Sequence, residues 1–179
     1  MEIKIVIAGF GGQGVLSLGQ FIAYSAMHKD LEVTWLPSYG PEMRGGSANV
    51  SVVVSDKTVA SPIVPCPDVL IAMNKPSLDK FVNKVAEGGT VIVNSSLITD
   101  KVARKDVKVC YINANEIALE AGSNKTANIV VLGAFIKLSG ILEPDAVKET
   151  IAKIFEKKPK VIPMNLKAFD LGYNSVNKN

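Results

Sequence analysis

The sequence predicts an α/β protein, a single domain built on a doubly wound, mostly parallel, Rossmann-like sheet. Three observations predict it. Short β-branched apolar runs, at residues 3–8, 68–73, 90–94 and 107–112, alternate with stretches of helical period. The first run passes directly into Gly9-Phe10-Gly11-Gly12-Gln13-Gly14, four glycines in six positions, and then into a helical segment. The chain has 179 residues, 47% of them hydrophobic, enough for one full core and too few for two comfortable domains.

Residues 3–8 form a nearly continuous apolar stretch, which suits a strand buried on both faces. Glycine is needed where φ must be positive or where a neighbour comes closer than a Cβ allows. The helix over residues 15–28 carries Leu16, Gly19, Gln20, Ala23 and Met27 on one stripe. Its N-terminus exposes unpaired N–H groups and the positive end of the dipole, a place for an anion. Gly9, Gly11 and Gly14 fit G-x-G-x-x-G, the dinucleotide fingerprint. A nicotinamide dinucleotide also needs an acid at the end of the second strand. That strand, residues 32–36, ends in Pro37-Ser38-Tyr39, and Glu32 stands at its entrance. The expectation is therefore a site for some other phosphate or polar group, lined by Gly9, Gly11, Gly12, Gln13 and Gly14. The competing reading is a tight turn whose glycines serve packing alone.

Residues 37–47 hold two prolines and three glycines and read as a loop. Tyr39, Glu42, Met43 and Arg44 are not linker residues, and the segment reads as a recognition surface. A strand follows over 48–54. Three prolines between residues 58 and 67 forbid helix and central strand, and Cys66, between two of them, is expected to be a small buried thiol. After the strand at 68–73, Pro76 starts a helix with Leu78, Phe81, Val82 and Val85 on one face, closed by Gly88. Strands at 90–94 and 107–112 precede a short helix over 115–121. The polar stretch 122–126 delivers Asn128 to a helix over 129–138 that is apolar all round except for Lys137, hence buried. Glu143-Pro144-Asp145 opens a helix with Val147, Ile151, Ile154 and Phe155 on its stripe, ended by Lys157-Lys158-Pro159. Residues 163–173 form a last amphipathic turn or two. The domain is expected to occupy residues 1–173, with a polar tail over 174–179.

Composition excludes several functions. The net charge of +3 is small and scattered, which argues against nucleic acid. No apolar run approaches the ~18 residues of a membrane span, and Met1-Glu2 leads straight into a strand with no signal peptide, so the expected location is the cytoplasm. Two cysteines and one histidine, His28, supply neither an iron–sulfur ligand set nor a zinc site, and His28 at a helix end is a poor triad member. No catalytic or metal-ligating residue is assigned to this chain.

Three blocks together carry a family resemblance: residues 9–15, the segment Ser38-Tyr39-Gly40-Pro41-Glu42-Met43-Arg44-Gly45-Gly46, and Pro67-Asp68-Val69-Leu70-Ile71-Ala72. With Asn128, Leu132-Gly133-Ala134 and residues 165–173, they resemble the gamma subunit of 2-oxoacid:ferredoxin oxidoreductases over essentially the whole chain. The resemblance implies a multisubunit enzyme that oxidatively decarboxylates a 2-oxoacid, forms an acyl-CoA and reduces ferredoxin. Thiamine diphosphate and the [4Fe–4S] clusters would sit on partners: the thiamine-binding alpha and beta subunits and a ferredoxin-like delta subunit. This chain would be inactive alone, binding no cofactor by itself. It would pack on the thiamine-binding subunits and help form the side of the site that takes coenzyme A. Ser38, Tyr39, Glu42, Met43, Arg44, Gly45, Gly46 and Asn128 would contact the partner or CoA. The small subunit of indolepyruvate oxidoreductase, and a free-standing dinucleotide-binding protein, are the alternatives.

Overall fold

In the computed structural model, residues 1–39 and 46–176 are described. Six strands form one sheet: β1 (Glu2–Phe10), β2 (Glu32–Tyr39), β3 (Ser47–Ser55), β4 (Val69–Ala72), β5 (Thr90–Asn94) and β6 (Lys108–Ile112), in the order β2-β3-β1-β4-β5-β6. β1, β4, β5 and β6 pair in parallel. β3 is antiparallel to both its neighbours, with registers Phe10↔Ser47 and Tyr39↔Ala48. Five strands therefore run one way and β3 runs against them, so the sheet is mostly parallel as expected. That β3 opposes the rest is a feature that alternation of apolar residues does not encode.

The helices are α1 (Val15–Met27), α2 (Lys75–Phe81), α3 (Ala114–Ala121), α4 (Ala127–Ser139), α5 (Pro144–Ile154) and α6 (Ile162–Asn174), with 3-10 turns at Val82–Lys84, Asn124–Thr126 and Pro159–Val161. Both sheet faces are covered, unequally. Ile5, Ile7, Val50, Val52, Val69, Ile71 and Ile92 pack with α1 and α3–α6 in the larger cluster. Val6, Leu70, Ala72, Val91 and Val93 pack with Leu78 of α2, Val85 and Ile98 in the smaller. α4 is buried from Ala127 to Ile136, as its all-round apolarity demands. Its partner α6 crosses it at two glycines. A Cβ on Gly133 would overlap the Phe169 carbonyl, and one on Gly172 would overlap the carbonyl of Val130.

Several local expectations need correction. β2 runs on through Pro37 to Tyr39, where a loop was expected; β2 is an edge strand, so a residue without an N–H breaks no ladder there. The buried face of α1 is Val15, Leu18, Gly19, Phe21, Ile22, Ala23, Ser25 and Ala26; Gln20 and Met27 face solvent. Ile154, placed on the α5 stripe, is 41% exposed because it ends the helix beyond the last contact turn. α6 is a full helix of 13 residues, and beyond it Val176 is buried, so packing persists past residue 173.

Cys66 is exposed, and the prolines around it hold it on the surface instead of burying it. Cys110 lies half-buried in β6, and burial pushes its thiol above the usual range. A thiol-specific disulfide reagent is therefore expected to titrate one thiol fast and one slowly at neutral pH, with Cys66→Ser removing the fast phase. Equal rates for both thiols would contradict this assignment.

Candidate functional site

The chain builds β2 and β3 on one side of β1 and the remaining strands on the other. The carboxyl end of β1 is thus the point where the strand order reverses, the place where open α/β sheets form a crevice. The glycine loop occupies that point. Gly9 and Phe10 still belong to β1, paired with Ala48 and Ser47. A Cβ on Gly9 would meet Gln13 Oε1 at 2.6 Å and Val15 Cγ2 at 2.8 Å, so that glycine serves close packing. Gly12 (φ 96°) and Gly14 (φ 74°) are left-handed, and Gly14 caps α1. The Gly11 N–H donates to Gly46 O at 2.9 Å, which ties the loop to the start of β3.

Two of the expected site side chains turn inward. Gln13 Oε1 accepts from the Phe10 N–H (2.7 Å), and its Nε2 donates to Met73 O (3.2 Å), strapping the loop to the end of β4. Asn128, 9% exposed at the start of α4, donates to Gly14 O (3.3 Å) and accepts from the Ile129 N–H (3.0 Å). Both therefore hold the loop in place. The loop's contribution to any ligand then comes from main-chain N–H groups. Leu18 is the first residue to close a helical bond, to Gly14 O. Among the described residues nothing accepts from the N–H groups of Val15, Leu16 or Ser17.

These donors open on a cavity of about 510 Å³, lined by Phe10, Gly11, Gly12, Gly14, Val15, Leu16, Ser17, Trp35, Pro37, Gly46, Ser47 and Ala48. Of the predicted residues, the cavity brings together Gly11, Gly12, Gly14 and Gly46. Ser38 is exposed at the end of β2 and does not line it, and Tyr39 pairs with Ala48 through its main chain. Glu42, Met43, Arg44 and Gly45 lie outside the described residues. Phe10, Trp35 and Pro37 were not foreseen: Trp35 reaches the cavity only because β3 carries β2 alongside, a long-range fact.

On the opposite side of the loop, Asn74 caps α2 by accepting from the Ser77 N–H (2.9 Å) and reaches Gln13 Oε1 (3.5 Å). The ends of β5 and β6 carry a second polar group: Asn94 donates to Asn115 and Asn115 to Asn124, each at 2.9 Å. Nearby, Ser96 donates to Glu116, which holds that carboxyl below its ordinary range.

The dinucleotide fingerprint requires its second strand beside the first. Here β3 stands between β1 and β2, so the strand reached through α1 is displaced by one place from the ribose position. Among the described residues no three His, Cys, Asp or Glu side chains gather as a metal site, and no helix is long and apolar enough to cross a membrane.

Residues 4–175 match the family described as pyruvate ferredoxin/flavodoxin oxidoreductase. This chain belongs to that family. It is 41% identical over 180 residues to the ketoisovalerate oxidoreductase subunit VorA of Methanothermobacter marburgensis, covering 99% of this chain. It spans only 37% of that relative's length. The keto/oxoacid ferredoxin oxidoreductase gamma subunit of Geobacter sulfurreducens superposes with a TM-score of 0.81 at 30% identity, over 96% of each chain. The 2-oxoglutarate:ferredoxin oxidoreductase of Magnetococcus marinus, solved with 2-oxoglutarate, coenzyme A and succinyl-CoA, gives a TM-score of 0.90 at 27% identity. That match covers 99% of this chain and 32% of the other. Within the oxidoreductase family the chain thus corresponds to a gamma-type unit, either separate or joined to further sequence.

Proposed function

We propose that this gamma-type chain works in a complex that decarboxylates a 2-oxoacid, transfers the acyl group to coenzyme A and passes two electrons to ferredoxin. It packs on the thiamine-binding subunits and forms the coenzyme A side of the site. Thiamine diphosphate and the [4Fe–4S] clusters are carried by partners, including a ferredoxin-like delta subunit, and the chain alone is inactive.

The observation carrying this reading is the bond from Gly11 N–H to Gly46 O. It joins the glycine loop to the hairpin segment on the wall of one cavity at the carboxyl edge. That cavity offers an apolar surface from Phe10, Val15, Leu16, Trp35 and Pro37 beside the free N–H groups of the first turn of α1. An apolar surface next to main-chain donors suits a ligand with a flexible, largely apolar arm and anionic groups, which describes coenzyme A. In this reading Ser38, Tyr39, Glu42, Met43, Arg44 and Gly45 are the residues that contact the partner or CoA. Arg44 offers a planar fork for a carboxylate or phosphate.

The test mixes the chain with its partner subunits and measures 2-oxoacid- and CoA-dependent reduction of an artificial acceptor. Turnover is expected only in the mixture. Arg44→Ala is expected to raise the KM for CoA, or to weaken subunit capture, by about tenfold or more while leaving the melting temperature unchanged. A variant that assembles and turns over like wild type would refute the contact, and turnover by the chain alone would refute the role.

A further inference from the structure

Gly12 is a wall common to two cavities. The second, of about 120 Å³, lies on the β4–β5 side of the loop, lined by Asn94, Asn115, Asn124, Lys125 and Asn128 among others. We propose that this cavity is a separate binding site for a phosphate-class oxyanion. The proposal goes beyond the coenzyme A reading and does not rest on it.

The argument is an account of donors and acceptors. Asn94 Oδ1 accepts from the Ser96 N–H (3.3 Å), Asn115 Oδ1 from Asn94 Nδ2, Asn124 Oδ1 from Asn115 Nδ2, and Asn128 Oδ1 from the Ile129 N–H. Every amide oxygen on the wall is therefore engaged within the protein. Each NH₂ group carries two hydrogens. Asn94, Asn115 and Asn128 each use one of theirs in the bonds described, and among the described residues Asn124 uses neither. Turning Asn94 or Asn115 round would set oxygen against oxygen along the chain, so the amide orientations are fixed by their neighbours. The surplus on the cavity wall is thus made of donors.

One feature on the same wall adds positive charge. Lys125 has no ion-pair partner among the described residues, whereas the start of α4 adds no free donor there, since the Ala127 N–H is given to Asn124 O and the Ile129 N–H to Asn128 Oδ1. The nearest acidic group in this network, Glu116, turns to the Ser96 hydroxyl and lines a different cavity with Glu120. Donors from side-chain amides and an ammonium call for a ligand that only accepts, and the small volume suits one phosphate-sized group.

The experiment titrates the full chain with inorganic phosphate, against chloride at matched ionic strength, while following the side-chain NH₂ resonances of asparagine by NMR. Saturable shifts at Asn124 and Asn115 are expected. Lys125→Ala should weaken the affinity about tenfold without moving the thermal midpoint, since the side chain is exposed. Asn124→Asp keeps its acceptor for Asn115 but sets a negative charge at the cavity, and should abolish the response. Shifts that never saturate, or wild-type affinity in both variants, would overturn the proposal. Adding coenzyme A separates the sources. Displacement of phosphate would overturn a separate site, since the anionic end of coenzyme A would then occupy it past Gly12, and retention assigns it to the free ion.

Discussion

Gly172→Ala is expected to destabilise the chain by at least about 3 kcal/mol, against the sign that helix propensity alone predicts. In an ordinary helix interior, alanine is better than glycine by roughly 1 kcal/mol. Gly172 lies in α6 directly over α4, and a Cβ there would overlap the carbonyl of Val130 and approach its Cα at 2.9 Å. The obstacle is backbone in a helix buried from Ala127 to Ile136, so no side chain can swing aside. The two helices must separate, and an overlap this close with backbone is expected to cost about 4 kcal/mol, beyond the roughly 1–3 kcal/mol typical of overpacking a core. The steric cost outweighs the propensity gain. For a chain of this size the melting temperature should fall by about 6–12 °C. Gly88→Ala is the control: its φ is 76° but nothing lies within 4 Å of the added Cβ, so only backbone strain of about 1–2 kcal/mol remains. A Gly172→Ala protein that melts at or above wild type would disprove the close crossing.

The second large effect belongs to Gly14→Ala, which should disturb stability and ligand binding together. Its φ of 74° costs an L-residue about 1–2 kcal/mol, and the added Cβ would overlap the Asn128 amide and lie 3.0 Å from its Cβ. Asn128 is anchored in α4 and donates to Gly14 O, so the loop must yield. We expect a total cost of about 2–4 kcal/mol and a displaced α1 N-terminus, read as a KM for CoA raised well beyond tenfold in the assembled complex. Adding Asn128→Ala to Gly14→Ala relieves the overlap but not the strain. The pair should therefore be non-additive by about 1 kcal/mol or more in thermal unfolding. Additive losses would show that the two residues do not share this contact.

The parts of this architecture that were legible in the sequence are those dictated by neighbours along the chain. Residues 3–8, the glycine run and the following helix declare themselves because apolar period, cap and turn chemistry all agree within thirty positions. The burial of α4 was legible for the same reason. What could not be read depends on partners distant in sequence. Nothing in residues 48–54 says that β3 runs against its neighbours. Pro37 reads as a loop signal unless β2 is known to be an edge. α6 was underestimated because Pro163 and Gly172 look like breakers, whereas Pro163 sits in its first turn and Gly172 is what allows α4 to approach. At the site, Gly11, Gly12, Gly14 and Gly46 were legible by local chemistry. Trp35, Asn94, Asn115 and Asn124 were not, because the sheet order alone brings them alongside the loop.

The pairing of β2 with β3 has a further consequence for how such a chain can diversify. The ladder between them closes at Tyr39↔Ala48, and every pair from there back to Glu32↔Ser55 is held by the sheet. Residues 40–45 join Tyr39 to the segment that opens β3, and the register of the ladder is set by the pairs from Glu32↔Ser55 to Tyr39↔Ala48 without them. Lengthening a connection is inexpensive in chain entropy, roughly 0.6 kcal/mol for each doubling. A lineage could therefore rewrite Glu42, Met43 and Arg44, or insert beside them, while the hydrophobic register that defines the fold stayed untouched. Selection for what docks against that stretch could then act without shifting the strand register.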